Sequence, residues 1–288
     1  MLNQIDILGL FKTNLSNAST KFQKSHLPSD YTYFFASDKH HKGSGIALCI
    51  KSSLADYIFY HTSNRGRYVL IDLQLRNKQK LRIIQIYLHV NNAHLSARLE
   101  LEKEILQHLR FAHTRNYHTI VMGDFNIDID NPSLNRQSCI AKMRFISQLK
   151  ELDLVDSYDL LSPDDHNKPY HYTWHNVSNT ISSRIDYIWC SLPLMSNFIY
   201  HSSFKSKLYQ SDHHQLVLFL DKRSLFLSAT GSTNKKSQIS KIKYQYDRID
   251  STLWNSFSIA ADAYASSNST LSGLNDSSIC TAQHLNSI

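Results

Sequence analysis

Three short acidic motifs follow one another along the chain: GDFN at residues 123–126, SRIDYIW at 183–189 and SDHH at 211–214. Each stands at the edge of an apolar, strand-like run. Together they offer three aspartates, an asparagine and a histidine. That set suits hydrolysis of a phosphodiester, whose anionic oxygens repel a nucleophile. A hard cation on carboxylates offsets that charge, a carboxylate or imidazole activates water, and donors steady the pentacovalent oxygens.

Each motif also has a plainer reading. In TIVMGDF a strand ends on Asp124; Gly123 permits a close turn, and Asn126 can offer its amide to a phosphate. Alone, GDFN also describes a turn in which Asp124 and Asn126 cap the next segment. In SRIDYIWCS, alternation places Ile185, Tyr187 and Trp189 on one face and Asp186 and Ile188 on the other. A strand acid is costly to bury unpaired. Its partner is either a histidine, which it would orient, or Arg184 in a structural ion pair. Asp212 and His213 stand at the mouth of the strand LVLFL, where adjacent residues can share a rim.

Strands and helices alternate up to about residue 220. Strands are expected at 5–10, 46–50, 68–75, 81–88, 119–125, 185–190 and 216–220, with a hairpin tip at 76–80. A helix is expected over 97–113, with Leu101, Ile105, Leu109 and Ala112 on one face and Ser96 as a cap. Another is expected over 140–152 on Ile140, Met143, Ile146 and Leu149. The organisation expected is one domain over 1–222, then a linker and loose extension over 223–288. Within the latter, 228–240 is polar and lysine-containing, and 243–265 has the residues for a short helix.

The chain has 288 residues, a formal net charge of +7 and a pI near 9.1. A positive field favours acidic partners such as nucleic acid. Cys49, Cys139, Cys190 and Cys280 form no CxxC pair and read as core thiols of a reducing compartment, not as disulfides or a zinc site. No apolar run is long enough to span a membrane and no signal pattern opens the chain, so a soluble intracellular protein is expected.

The ordered set GDFN, RIDYI and SDHH resembles the endonuclease/exonuclease/phosphatase superfamily, the fold of pancreatic deoxyribonuclease and the apurinic-site repair endonucleases. DILGLFKTN resembles its early "LQET" strand, KGSGIALCI its Gly-rich strand, IIQIYLHVNN the strand with a phosphate-contacting tyrosine, and YTWHN its "TW" element. The resemblance implies an α/β four-layer sandwich, two packed mixed β-sheets flanked by helices. It implies a Mg²⁺-dependent site, with Mn²⁺ as an alternative ion. By motif, Asp124 would position the water and Asn126 contact the scissile phosphate. His213 would be the catalytic histidine, Asp186 its orienting partner and Tyr87 a phosphate-oxygen donor. Asp212 would assist the metal, and Trp174 and Arg98 would contact substrate. Two departures fall on the metal side. Lys12, preceded by Phe11, stands where the family carries a metal-binding glutamate, and the family's first strand has no counterpart upstream.

Within that superfamily the compact spacing and basic balance resemble the endonuclease domains of LINE-type retrotransposons. KYQYDRIDSTLWNSFSIAADAY resembles their connector to reverse transcriptase. The expectation is a DNA endonuclease impaired by Lys12, nuclear if of retroelement type, acting on DNA with no membrane and no obligate protein partner. The alternatives are a catalytically inactive nucleic-acid-binding relic, or a lipid or small-molecule phosphodiesterase.

Overall fold

The structure is a computed structural model and describes residues 5–15, 27–38, 44–75, 78–90, 94–130, 137–160, 172–205, 211–221, 225 and 251–267. The chain divides into two compact units, Met1–Thr230 and Gly231–Ile288.

The first unit is built on a six-stranded mixed sheet. Its strands are β4 (Ile58–Asn64), β5 (Tyr68–Gln74), β6 (Lys80–Tyr87), β7 (His118–Asp124), β8 (Leu154–Asp156) and β11 (Asp186–Ser191), in the spatial order β4-β5-β6-β7-β11-β8. Only β6 and β7 pair in parallel. Their Val, Ile and Leu content suits strands buried on both faces. Alternation then splits each strand between two cores. Val121, Tyr187 and Trp189 face one, with Leu101, Ile105 and Leu109; Ile120, Ile188 and Cys190 face the other.

The first core is closed by helices α2 (Leu95–Thr114) and α3 (Gln137–Glu151). The periodicity set the inward face of α2 as expected; in α3 Met143, Ile146 and Leu149 face the core, but Ile140, expected with them, is exposed in the helix's first turn and Phe145 is buried instead. The cap of α2 also differs. The N-cap of α2 is His94, without a side-chain cap bond, and Ser96 lies inside the helix. The second core is closed by an antiparallel sheet, ordered β1-β3-β2, of β1 (Ile7–Phe11), β2 (Tyr31–Ala36) and β3 (Ile46–Lys51), and by the pair β12 (Phe198–Phe204) and β13 (Gln215–Leu220). The architecture is thus α/β, with mixed sheets packed together and helices flanking them. Among the described residues the second sheet stands in two pieces.

Short helices α1 (Ser52–Ala55) and α4 (Ser157–Leu160) and a 3-10 turn at Leu192–Asn197 make connections. β9 (Trp174–His175) and β10 (Ser182–Ser183) form a small hairpin. In the second unit, α5 spans Ser251–Ser267. The segment 228–240 and residues 76–77 of the hairpin tip lie outside the described residues, as do the side chains of Cys139 and Cys280. Cys49 and Cys190 are buried free thiols, and burial pushes the Cys49 thiol up to about 11.

Candidate active site

Register across three neighbouring strands builds the site. Tyr87 on β6 is the Cα partner of Asp124 on β7, and Asp124 is the partner of Asp186 on β11. One row at the end of the sheet therefore carries a phenol and two carboxylates, on the face of the second core. Directly opposed strand residues have side chains about 5 Å apart, so the two buried acids confront each other.

Gly123 makes the row possible. Its φ is +133°, and a Cβ there would stand 2.0 Å from the Ile86 carbonyl oxygen of the neighbouring strand. Past Asp124 the chain turns through Asn126 at φ +49°. The Asn126 backbone N–H donates to Asp124 Oδ1 at 2.9 Å, and its side-chain amide donates to the Leu88 carbonyl at 2.8 Å. The capped turn and the oriented acid are one arrangement.

Asp186 is held at the strand entry by Thr173, whose Oγ accepts from the backbone N–H groups of Ile185 and Asp186, each at 3.0 Å. His213 bridges to Trp174, and its backbone N–H donates to Ser211 Oγ at 3.0 Å. The His213 ring meets Asp186: Nδ1 lies 2.9 Å from Asp186 Oδ2, with both side chains buried. A carboxylate only accepts, so Nδ1 carries the proton and Nε2 points outward. Arg184, the competing partner, instead binds Asp130 and Asp156, each at 2.6 Å.

Lys12 stands over this pair. Its Nζ is 3.5 Å from His213 Nε2, and its backbone is left-handed at φ +55°. Phe11 packs edge-on to the His213 ring at 5.0 Å and stacks on Tyr87 at 5.8 Å. Arg67 lies over the other side of Tyr87, 4.9 Å from the ring centroid.

The electrostatics follow from burial and from two acids in one place. Burial, then the Asp186 charge, pushes the Asp124 carboxyl up to about 7, against the pull of His213 and Lys12. For His213, burial acts downward, but the Asp186 hydrogen bond and the charges of Asp186 and Asp124 outweigh it and hold the imidazole above its ordinary value. For Asp212, burial acts upward and is outweighed by the Trp174 hydrogen bond and the charges of His213 and Lys12, leaving the carboxyl below the usual range.

Asp124, Asp186 and His213 each bring a possible ligand atom within 4.8 Å of the others. Asp124 Oδ2 and Asp186 Oδ1 are buried without a hydrogen-bond partner. Those oxygens call for positive charge. Yet Nδ1 of His213 is taken by Asp186, Nε2 faces the Lys12 ammonium, and Asp212 Oδ2 accepts from Trp174 Nε1 at 2.9 Å. An ammonium ligates nothing and repels a second cation. The donor set does not fit a tightly held divalent ion.

One expected role is corrected. Arg98 was expected to contact substrate, but it is fully buried in α2. Its guanidinium binds Glu102 at 2.7 Å and the carbonyls of His89 and Phe125 at 2.7 and 2.9 Å, so each of its three nitrogens is engaged inside the fold. Asp212, expected to assist a metal, lies outside the Asp124–Asp186–His213 group and accepts a hydrogen bond from Trp174.

The match to the Endonuclease/Exonuclease/phosphatase family runs over residues 2–213 and takes in the whole constellation. The chain belongs to that family. Among solved structures, this family member is similar to the APE2 catalytic domain of Xenopus laevis, with TM-score 0.63 and 18% identity over 76% of this chain and 84% of that one. It is also similar to the AP endonuclease LMAP of Leishmania major, with TM-score 0.62 and 16% identity over 76% of this chain and 79% of that one. A third is the 3′ phosphatase NExo from Neisseria bound to product DNA hairpin, with TM-score 0.58 and 16% identity over 76% of this chain and 90% of that one. At such identities the likeness is one of fold. No curated protein matches the chain in sequence.

Sequence reasoning missed Thr173, Ser211 and Arg67 as parts of the site. Thr173 and Ser211 act through a single hydroxyl on a backbone N–H, which no spacing rule marks. Arg67 follows a glycine just before β5, and only the pairing of β5 with β6 brings it to Tyr87.

Proposed function

We propose that this family member is a DNA-directed phosphodiester hydrolase, of the nicking type resembling LINE-retrotransposon endonucleases. Its turnover is slow because Lys12 weakens binding of Mg²⁺ or Mn²⁺. The observation that carries the reading is the 2.9 Å His213–Asp186 pair set against Asp124 in one strand row. In its ionised form Asp124 accepts a proton from an attacking water and aims it. His213, held by Asp186 with Nε2 outward, serves the phosphoryl oxygens or the leaving group from the other side. Tyr87, backed by Arg67, and Asn126 offer donors to the phosphate. Trp174, steadied by Asp212, lines the rim.

DNA as substrate is supported by the net charge of +7 and by the resemblance of the motif order and the 243–264 connector to retroelement sequences. The test is nicking of a supercoiled plasmid with Mn²⁺ by wild type, Asp124→Ala and His213→Ala. The reading expects slow wild-type nicking that either substitution removes.

The second reading is a nucleic-acid-binding protein without turnover, favoured by the Lys12–His213 contact alone. It predicts no nicking by any of the three.

A further inference from the structure

Lys12 and Arg67 place positive charge at the mouth of the site, where the hydrolase chemistry above gives neither side chain a direct contact with phosphate. Lys12 is exposed, and its backbone is fixed past the end of β1, where Thr13 and Asn14 donate N–H bonds to the Gly45 and Ser44 carbonyls at 3.2 and 3.0 Å. Its left-handed φ of +55° lies in a region costly for a lysine. Arg67 is partly buried against the Tyr87 ring at 4.9 Å, within the field of Asp124. His213 Nε2, 3.5 Å from the ammonium, completes the group.

A phosphate group needs charge and donors close by, and a divalent ion is one way to supply them. Lysine is a standard phosphate binder as a point charge, and arginine brings a fork of donors. Among the described residues the Lys12 ammonium has the His213 ring nitrogen as a neighbour at the limit of hydrogen-bond range, and it lies in the field of Asp124 and Asp212. A phosphate oxygen would be a far better partner.

We infer that this site binds a phosphate monoester or diester group without any divalent cation, through Lys12 together with Arg67. The inference rests on the reading of the site as one for phosphodiesters, and it adds that ground-state phosphate binding is uncoupled from metal. Lys12 is then a ligand-binding residue of this chain's own, not merely a lost metal ligand.

The experiment follows the His213 ring signal by ¹H–¹³C NMR, assigned through His213→Gln, while inorganic phosphate or methyl phosphate is titrated in EDTA. The expected result is a saturable shift at a Kd on the order of 1 mM. Lys12→Gly, which suits a positive φ, should weaken binding tenfold or more, and Lys12→Arg should stay within about threefold of wild type. Melting curves establish that each variant is folded. Mg²⁺ should leave wild-type binding unchanged.

Binding that appears only with Mg²⁺, or that Lys12→Gly leaves intact, overturns the inference. So does a shift spread over many histidines, which means an adventitious ion only on the basic surface. A short duplex that moves the His213 signal where methyl phosphate does not would also overturn it, placing the affinity along the nucleic-acid track. The two proposals fail separately. Phosphate binding in EDTA with no nicking by any variant sinks the hydrolase reading alone. Nicking by a wild type whose phosphate binding requires metal sinks this one alone.

Discussion

Replacing Asp124 by asparagine should stabilise the protein, by an amount that depends on pH. Asp124 is 1% exposed and directly opposes Asp186 in the strand register. Its carboxyl is pushed from 3.8 up to about 7 by burial and the Asp186 charge. A raised carboxylate pKa means that the folded state keeps a proton the unfolded chain has lost. Stability therefore falls as pH rises through the window from 3.8 to about 7, and then levels off. At 1.36 kcal/mol per unit, the full shift corresponds to a ceiling of roughly 4 kcal/mol; charge compensation by His213 and Lys12 should leave about 2–3. Asparagine keeps the Oδ1 acceptor for the Asn126 N–H and carries no charge to desolvate. Urea denaturation of wild type and Asp124→Asn in EDTA should show near-equal stability at pH 4 and a gap of about 2–3 kcal/mol in favour of the variant at pH 8. A gap that is constant across this range, or that favours wild type at pH 8, would refute the reasoning, because the two carboxylates would then not be sharing one buried charge site.

Other outcomes follow from the same contacts. Gly123→Ala brings a methyl against the Ile86 carbonyl at a φ closed to alanine, so it should cost more than about 2 kcal/mol in a denaturant titration or prevent folding. Arg98→Met strands the buried Glu102 carboxylate and should cost about 3–5 kcal/mol, whereas the double change with Glu102→Leu should recover most of it. A double-mutant cycle of melting curves checks that coupling, and intact phosphate binding by the double variant checks that Arg98 has no substrate role. Asp186→Asn removes the partner that holds the His213 imidazole up, so NMR titration should find the pKa of His213 lowered.

The face of each central strand was legible in the sequence because period-two alternation is set by the chain itself. Val121 against Ile120, and Tyr187 against Ile188, divide between the two cores as alternation requires. The convergence of Asp124, Asp186 and His213 was legible from motif order. The strands β2, β4 and β12 were not. Tyr57, Phe59, Tyr60, Ile199 and Tyr200 leave large apolar side chains exposed on or beside edge strands, which blurs alternation, and YTYFFA interrupts its aromatic run with a single small polar residue, Thr32. Arg98 misled for a different reason. A charged residue on a helix normally faces water; the Glu102 ion pair together with the backbone carbonyls of His89 and Phe125, far apart in sequence, offsets the cost of its burial. The position of Lys12 by His213 was half anticipated. The motif put Lys12 at the metal side of the site, and the structure sets its ammonium 3.5 Å from the imidazole nitrogen.

The central claim is that an intact proton-handling row in this family member works beneath a lysine that keeps tight cation binding out. The most direct measurement is the initial rate of plasmid nicking as a function of Mg²⁺ concentration, for wild type and Lys12→Glu side by side. The account predicts slow wild-type nicking that does not saturate at millimolar Mg²⁺, and a Lys12→Glu curve that saturates at lower Mg²⁺ with a higher plateau. Fast wild-type nicking that saturates at low Mg²⁺, with Lys12→Glu no better, would contradict it.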